Sequence, residues 1–253
     1  MLNIKRFISF TLMAFFIMSA VAVRAQDAGG RAASGGGAQW RNRLDAIKDT
    51  TGPTGIDMRN KLLKDIGEAI AQGDTSDDIF AALEYMSKEG LANRTNTQGL
   101  VLNDYHPIRK EAVRELGRMG TTRAADILIL LCRNETVFDV QQALIIALGN
   151  IGINENGKTV DAIFSIPKFQ GYNARSTTDI DFERLVNSAI DAFDKIDKKN
   201  NGLGAKSKKV QEFLDDISKK HFPKHGDLVP IHERAKLVLE EIIRRESQRR
   251  QES

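Results

Sequence analysis

The chain carries one helical pattern twice, as IRKEAVRELGRMG at residues 108–120 and as VQQALIIALGNIG at residues 140–152. The two stretches have the same residue classes at equivalent positions, 32 residues apart, and each ends with two glycines that are separated by two residues. Their apolar residues recur every three or four positions, which is typical of an amphipathic helix. A short helical unit that repeats in this way buries its apolar faces against its neighbours. The repeat therefore predicts a stack of helices.

Two weaker copies follow in the C-terminal half of the chain. The third copy consists of Leu185, Ala189, Phe193 and Ile196, and the fourth, after Pro230, of Ile231, Ala235, Leu239 and Ile242. Further helices are predicted at residues 56–71, after Ser76, at 107–119, 121–133 and 157–166. No stretch shows the convincing alternation of a β-strand. We expect an all-α fold, a right-handed α-solenoid of stacked antiparallel helix pairs.

The N-terminus has the pattern of a secretory signal. Lys5 and Arg6 precede an apolar run, and Val23 and Ala25 occupy the positions that a signal peptidase reads. We predict a signal peptide at residues 1–25, cleaved after Ala25, and a periplasmic or secreted mature protein without a membrane span. The alternative is an uncleaved anchor, since the apolar run is near the lower limit for crossing a bilayer.

The rest of the chain divides by composition into three parts. Residues 26–54 begin with a run of glycine, alanine and serine and are predicted to be a flexible segment. Residues 55–247 are predicted to form the helical-repeat domain, and residues 248–253 a polar C-terminal tail.

Net charge gives little reason to expect a nucleic-acid partner. The full chain has 37 basic and 34 acidic residues, and removal of the predicted signal removes three basic residues, Lys5, Arg6 and Arg24. The mature protein is then formally neutral apart from its histidines, so a general attraction to nucleic acid is not expected.

Basic residues are nevertheless concentrated in two places, residues 195–225 and the arginines of residues 244–250. One interpretation is solvated helix faces and a frayed end, and the other is docking to an acidic partner surface. Under the second interpretation, Lys208 and Lys209 are candidate partner-binding residues.

The single cysteine, Cys132, rules out an intramolecular disulfide. It follows a run of aliphatic residues at 127–131, so we predict a buried structural thiol rather than a nucleophile. The carboxylates at 179, 181 and 183 are interpreted as an N-terminal cap with acidic first-turn residues rather than as a catalytic pair.

Three histidines, His221, His225 and His232, are the candidate metal ligands. His221 and His225 have the spacing of two zinc ligands on one helix, but Pro223 and Gly226 make a continuous helix doubtful. A polar loop between helices is the favoured interpretation, and we predict no metal site. The sequence also has no nucleophile elbow, phosphate loop or dinucleotide fingerprint, so no catalysis and no cofactor are expected.

The repeated residues resemble the short HEAT-like repeats of bacteria, which also occur in phycobilisome lyase-related proteins. The resemblance is carried by Ile108–Arg109, Ala112, Leu116–Gly117, Met119–Gly120, Val140, Ala147, Leu148–Gly149 and Ile151–Gly152. The arginine that follows the first aliphatic residue is present as Arg109 and is replaced by Gln141, Val186 and His232 in the other copies. The resemblance implies a superhelix of antiparallel helix pairs that binds other proteins.

A protein-binding scaffold is therefore the leading functional hypothesis. The loop at residues 167–178 is an insertion between two copies, and Tyr172 and Arg175 are its best candidates for partner contact. Two alternatives remain. One is a lyase- or chaperone-like protein that acts on a bound chromophore or protein, which the resemblance suggests, and the other is a structural component of an envelope assembly.

Overall fold

The computed structural model describes residues 37–91, 96–97, 100–101, 103–169, 179–220, 222 and 229–252. Within these residues the helices are α1 (Gly37–Lys48), α2 (Gly52–Ala71), α3 (Asp77–Lys88), α4 (His106–Met119), α5 (Thr122–Cys132), α6 (Phe138–Ile151), α7 (Lys158–Ser165), α8 (Ile180–Lys199), α9 (Ser207–Lys219) and α10 (Ile231–Glu252). The strands β1 (Asn96–Thr97) and β2 (Leu100–Val101) form a short antiparallel pair between α3 and α4. The predicted all-α class is confirmed.

Local sequence signals set the ends of the repeated helices. Pro107 lies in the first turn of α4, where a missing N–H group costs no helical hydrogen bond. Gly120 and Gly152 follow the last residues of α4 and α6 in the left-handed conformation, with φ of 67° and 70°. Thr121 then caps α5, since its hydroxyl accepts a hydrogen bond from the N–H of Ala124 at 3.2 Å. The second glycine of each repeat is thus a helix terminator.

The described helices alternate between two layers. In one layer α2, α4, α6, α8 and α10 each pack against the next, and we call this the even layer. In the other, α1, α3, α5 and α7 pack in the same successive manner, and α9 packs on α10. Consecutive helices from α1 to α6 also contact each other across the core, and so do α9 and α10. Between these groups, Phe193 of α8 packs against Phe164 of α7 and Phe213 of α9.

The first glycine of each repeat allows two helices of the even layer to approach closely. A Cβ atom on Gly117 would lie 2.7 Å from the Cβ atom of Ala147, and one on Gly149 would lie 2.7 Å from the Cα atom of Ala192. Gly67 in α2 also faces α4, but a Cβ atom there would meet only the side chains of Glu115 at 3.2 Å and Arg118 at 3.3 Å. The repeat includes α2, a copy that the sequence analysis did not identify, since Arg59, Leu62, Ile66 and Gly67 have the spacing of Arg109, Ala112, Leu116 and Gly117.

The apolar positions predicted for the third and fourth copies lie in the core. Leu185, Ala189, Phe193 and Ile196 are fully buried in α8. In α10, Ile231, Ala235 and Ile242 are buried and Leu239 is partly buried against the same core.

The helices extend beyond the predicted boundaries of the repeat domain. Helix α1 lies within the segment 26–54 that was expected to be flexible, and its Trp40, Leu44 and Ile47 are buried. Trp40 and Leu44 are four residues apart and Ile47 follows three later, so one helix face carries all three. Helix α10 continues through most of the expected polar tail to Glu252. The predicted signal peptide and its cleavage site lie outside the described residues.

Candidate partner-binding surface

A buried network of ionic and polar side chains joins the first three helices of the even layer. The Nε atom of Arg59 donates to Glu89 at 2.7 Å, and that of Arg109 donates to Glu135 at 2.9 Å. Arg109 also donates to the backbone carbonyl of Glu89 at 3.0 Å, and Gln141 donates to the carbonyl of Glu135 at 2.7 Å. The carboxylate of Glu89 thus binds Arg59 of α2, and its backbone carbonyl binds Arg109 of α4. In the same way, the carboxylate of Glu135 binds Arg109, and its backbone carbonyl binds Gln141 of α6.

This network has a structural role. The carboxylate of Glu135 also accepts hydrogen bonds from the N–H groups of Thr136 and Val137, which fixes the chain just before α6. Burial alone would lower the pKa of Arg109, but its hydrogen bonds to Glu135 and Asp104 outweigh burial, and its pKa is raised. The side chains of Arg109 and Glu135 are inside the protein and are unavailable to a partner.

Several C-terminal arginines form ion pairs within the chain. The carboxylate of Asp197 is fully buried and lies 3.0 Å from Nε of Arg245 and 3.1 Å from Nη2 of Arg249. Arg245 also pairs with Asp194 at 2.8 Å. These contacts dock α10 on α8, whereas Arg244 is exposed and pairs with Glu241 on its own helix. Arg245 and Arg249 therefore do not belong to a frayed, solvated end of the chain, which was one interpretation of the basic residues at 244–250.

The two candidate lysines differ in their surroundings. Lys209 lies 3.3 Å from the carboxylate of Asp161 and 4.5 Å from the centre of the Phe164 ring. Lys206 pairs with the same carboxylate at 2.7 Å. Lys208 is 88% exposed, with Glu212 at 3.8 Å. Of the two candidates, Lys208 thus has the more open side chain.

The remaining candidate residues are mostly beyond the described ranges. Tyr172, Arg175, His221 and His225 lie outside the described residues. His232 is half-buried at the start of α10. In the part of the chain that the structure describes, no group of three His, Cys, Asp or Glu side chains is placed to hold a metal ion.

Two predictions about single groups are confirmed. Cys132 is fully buried, its thiol donates to the carbonyl of Leu128 at 3.4 Å, and burial raises its pKa to about 12. Asp179 caps α8, since its carboxylate accepts a hydrogen bond from the N–H of Phe182 at 3.0 Å, and this bond lowers the pKa of Asp179. Neither group has the environment of a nucleophile or a general acid.

An open groove runs between α4 and α6 on the outer face of the even layer. It has a volume of about 270 Å³. From α4 it is lined by Lys110, Arg114 and Arg118, which lie one turn apart along one face of that helix. From α6 it is lined by the polar residues Asp139, Gln142 and Asn150 and by apolar side chains that include Ile146, which is 44% exposed. The three cations occur at four-residue intervals in the first repeat, a signal that the sequence analysis did not use.

The acidic partners of these cations lie mostly on the other side of α4. Arg114 pairs with Glu111 at 3.0 Å and Arg118 with Glu115 at 2.8 Å, and both glutamates line a separate groove between α2 and α4. The carboxylate of Glu115 is nearly buried, whereas the guanidinium of Arg118 is half exposed. Lys110 and Arg114 therefore line only the groove with α6, whereas Arg118 lines both grooves.

Asp139 is the acidic residue within the groove. It accepts a hydrogen bond from Lys110 at 2.9 Å, which lowers the pKa of its carboxyl group. Arg114 binds Glu111 through one nitrogen, whereas Arg118 binds both carboxylate oxygens of Glu115. Arg114 is therefore the groove cation with the most unused hydrogen-bond donors.

The comparisons add no relative to this description. Neither protein-family models, nor curated proteins, nor solved structures match the chain. Among the described helices, none combines the length and the apolar character that crossing a membrane requires.

Proposed function

We propose that this protein is an exported, non-enzymatic scaffold, built as a right-handed α-solenoid of HEAT-like helix pairs, that binds a partner protein. The observation that supports the proposal is the successive packing of α2, α4, α6, α8 and α10 in one layer and of α1, α3, α5 and α7 in the other. Helix-pair solenoids are quasi-one-dimensional stacks of this kind and use an extended face for binding.

The even layer is the proposed binding face. Its close Gly–Ala contacts and its buried Arg–Glu network hold α2, α4 and α6 in fixed positions. A rigid scaffold of this kind reduces the entropy that is lost on binding. The groove between α4 and α6 lies on this face and combines exposed cations with the exposed side chain of Ile146.

The chain offers a matched pair of positions to test which face binds. Ile146 in α6 is 44% exposed on the even layer, and Leu130 in α5 is 63% exposed on the other layer. Affinity capture from the native extract would compare the wild type with Ile146→Asp and with Leu130→Asp. We expect a stoichiometric partner with the wild type and with Leu130→Asp, and its loss with Ile146→Asp. Equal capture by both variants, or no partner with the wild type, would contradict the proposal.

Export is the second element of the proposal and rests on the sequence of residues 1–25. It predicts that the mature protein begins at Gln26 and is found outside the cytoplasm. N-terminal sequencing of the protein from fractionated cells tests it directly. A cytoplasmic protein that retains residues 1–25 would refute export.

A further inference from the structure

The basic side of the α4–α6 groove has unused hydrogen-bonding capacity. Glu111 contacts only the Nη1 atom of Arg114. A guanidinium group has five N–H donors and can bind a carboxylate through two of them. Arg114 is 55% exposed, so it can reach a ligand while it retains its contact with Glu111. Arg118 is 49% exposed, but its Nη1 atom binds both carboxylate oxygens of Glu115 and its Nη2 atom lies 3.4 Å from the carbonyl of Gly67.

The α6 side of the groove has an apolar part beside the polar residues Asp139, Gln142 and Asn150. Ala143, Ala147 and Ile146 line it together, and the exposed part of Ile146 provides an aliphatic surface beside the arginines. Ala147 is also the residue that packs on Gly117, so the close approach of α4 and α6 sets the width of this groove. An arginine with free donors beside an aliphatic surface suits a ligand that carries both an anion and an apolar side chain.

We propose that the groove binds an acidic segment of the partner protein. In this arrangement a glutamate or aspartate of the segment binds Arg114, and a neighbouring aliphatic side chain packs on Ile146. The volume of about 270 Å³ is at the lower end for small-molecule pockets, and it suits one or two side chains of a docked segment. This inference rests on the proposed scaffold function and names the chemistry of its partner.

A protein segment fits this groove better than a nucleic-acid strand. Among the described residues that line the groove none is aromatic, so bases would have no ring on which to stack. Asp139 lies within the groove, and Glu111 and Glu115 lie on the other flank of α4. A continuous phosphate backbone would meet these carboxylates, whereas a peptide with isolated acidic side chains would avoid them.

A displayed library of random peptides tests the proposal with the full-length protein as the target. We expect the wild type to enrich peptides that contain Asp or Glu beside Leu, Ile or Val. An enriched peptide, made synthetically, should bind Arg114→Glu and Ile146→Asp at least about tenfold more weakly, since arginines and buried apolar contacts dominate interface energies. Arg133→Glu, at an exposed position just after α5 and outside the groove, should leave affinity unchanged. Circular dichroism checks that each variant remains helical.

Several outcomes would overturn the proposal. They are enrichment without an acidic bias, no enrichment at all, or equal binding by Arg114→Glu and the wild type. Binding of a single-stranded RNA oligonucleotide that depends on Arg114 would assign the groove to nucleic acid instead. If the peptide tests give one of these results but Ile146→Asp still abolishes partner capture, the proposed acidic segment is wrong and the scaffold function stands. If capture is also unaffected, the proposed scaffold function is wrong as well.

Discussion

Gly149 in α6 and Ala192 in α8 are in such close contact that a Cβ atom at position 149 would lie 2.7 Å from the Cα atom of Ala192. Real Cβ atoms do not approach a backbone atom so closely, so a side chain at this position requires the two helices to separate. The contact explains why a glycine directly follows Leu148, as Gly117 follows Leu116 in the other copy. It also relates the sequence repeat to the spacing of the even layer.

The first prediction concerns this contact. Gly149→Ala should lower the free energy of unfolding by about 1–2 kcal/mol, because overpacking outweighs the gain in helix propensity. Gly67→Ala is the matched control, since its new Cβ atom would meet only the side chains of Glu115 and Arg118 at 3.2–3.3 Å. Urea unfolding of both variants measures the difference.

A double-mutant cycle sharpens the test. If the contact exists, Gly149→Ala combined with Ala192→Gly should be less destabilised than the sum of the two single variants. Strictly additive losses would show that residues 149 and 192 do not touch.

The second prediction concerns the buried ion pair of Arg109 and Glu135. Arg109→Met should cost about 3–5 kcal/mol, because it leaves the carboxylate of Glu135 buried without its cation. Glu135→Gln is a milder second variant that keeps the size of the side chain. The control is Arg114→Met, whose exposed pair with Glu111 should contribute no more than about 1 kcal/mol. Equal losses in denaturant unfolding would argue against a buried network.

The third prediction concerns the stability of the protein at acidic pH. Burial alone would raise the pKa of Asp194, but its hydrogen bonds with Lys198 and Arg245 outweigh burial and lower it. A folded pKa below the unfolded value of about 3.9 stabilises the protein above that pH, and the contribution is lost as the pH falls through the folded pKa. The difference in unfolding free energy between the wild type and Asp194→Asn should therefore shrink from about pH 5 to about pH 3. A difference that does not change with pH would contradict this assignment.

The fourth prediction concerns Cys132. Because burial raises its pKa to about 12, the thiol stays protonated and shielded near pH 8. A thiol reagent should not modify the folded protein and should modify one group per chain in denaturant, since the chain has one cysteine. Rapid labelling of the native protein would show that Cys132 is accessible.

Much of the fold is predictable because its signals are local. The apolar spacing of α4, α6 and α8 and the glycines after α4 and α6 specify helices and their ends. Two helices were missed although local signals exist. Helix α1 follows a glycine-rich stretch, which is typical of a flexible segment. Helix α9 is rich in lysine, but its buried residues have helical spacing, namely Val210, Phe213, Leu214 and Ile217.

The candidate site is less predictable because it depends on packing between distant segments. The spacing of Lys110, Arg114 and Arg118 places them on one helix face, but only the position of α6 makes that face one side of a groove. Asp197 and Arg245 are far apart in the sequence, and no local pattern indicates that they pair. The same limitation applies to Glu89, which contacts both Arg59 and Arg109 from a position after α3.

The central claim is that the even layer, at the α4–α6 groove, is the face that meets a partner protein. The most direct test places a photo-crosslinking amino acid at position 146 in one variant and at position 130 in another, in the native cell. Both side chains are exposed, but they lie on opposite layers. The account predicts a single crosslinked partner from position 146 and none from position 130. Crosslinking from position 130 alone would place the binding face on the other layer and contradict the claim.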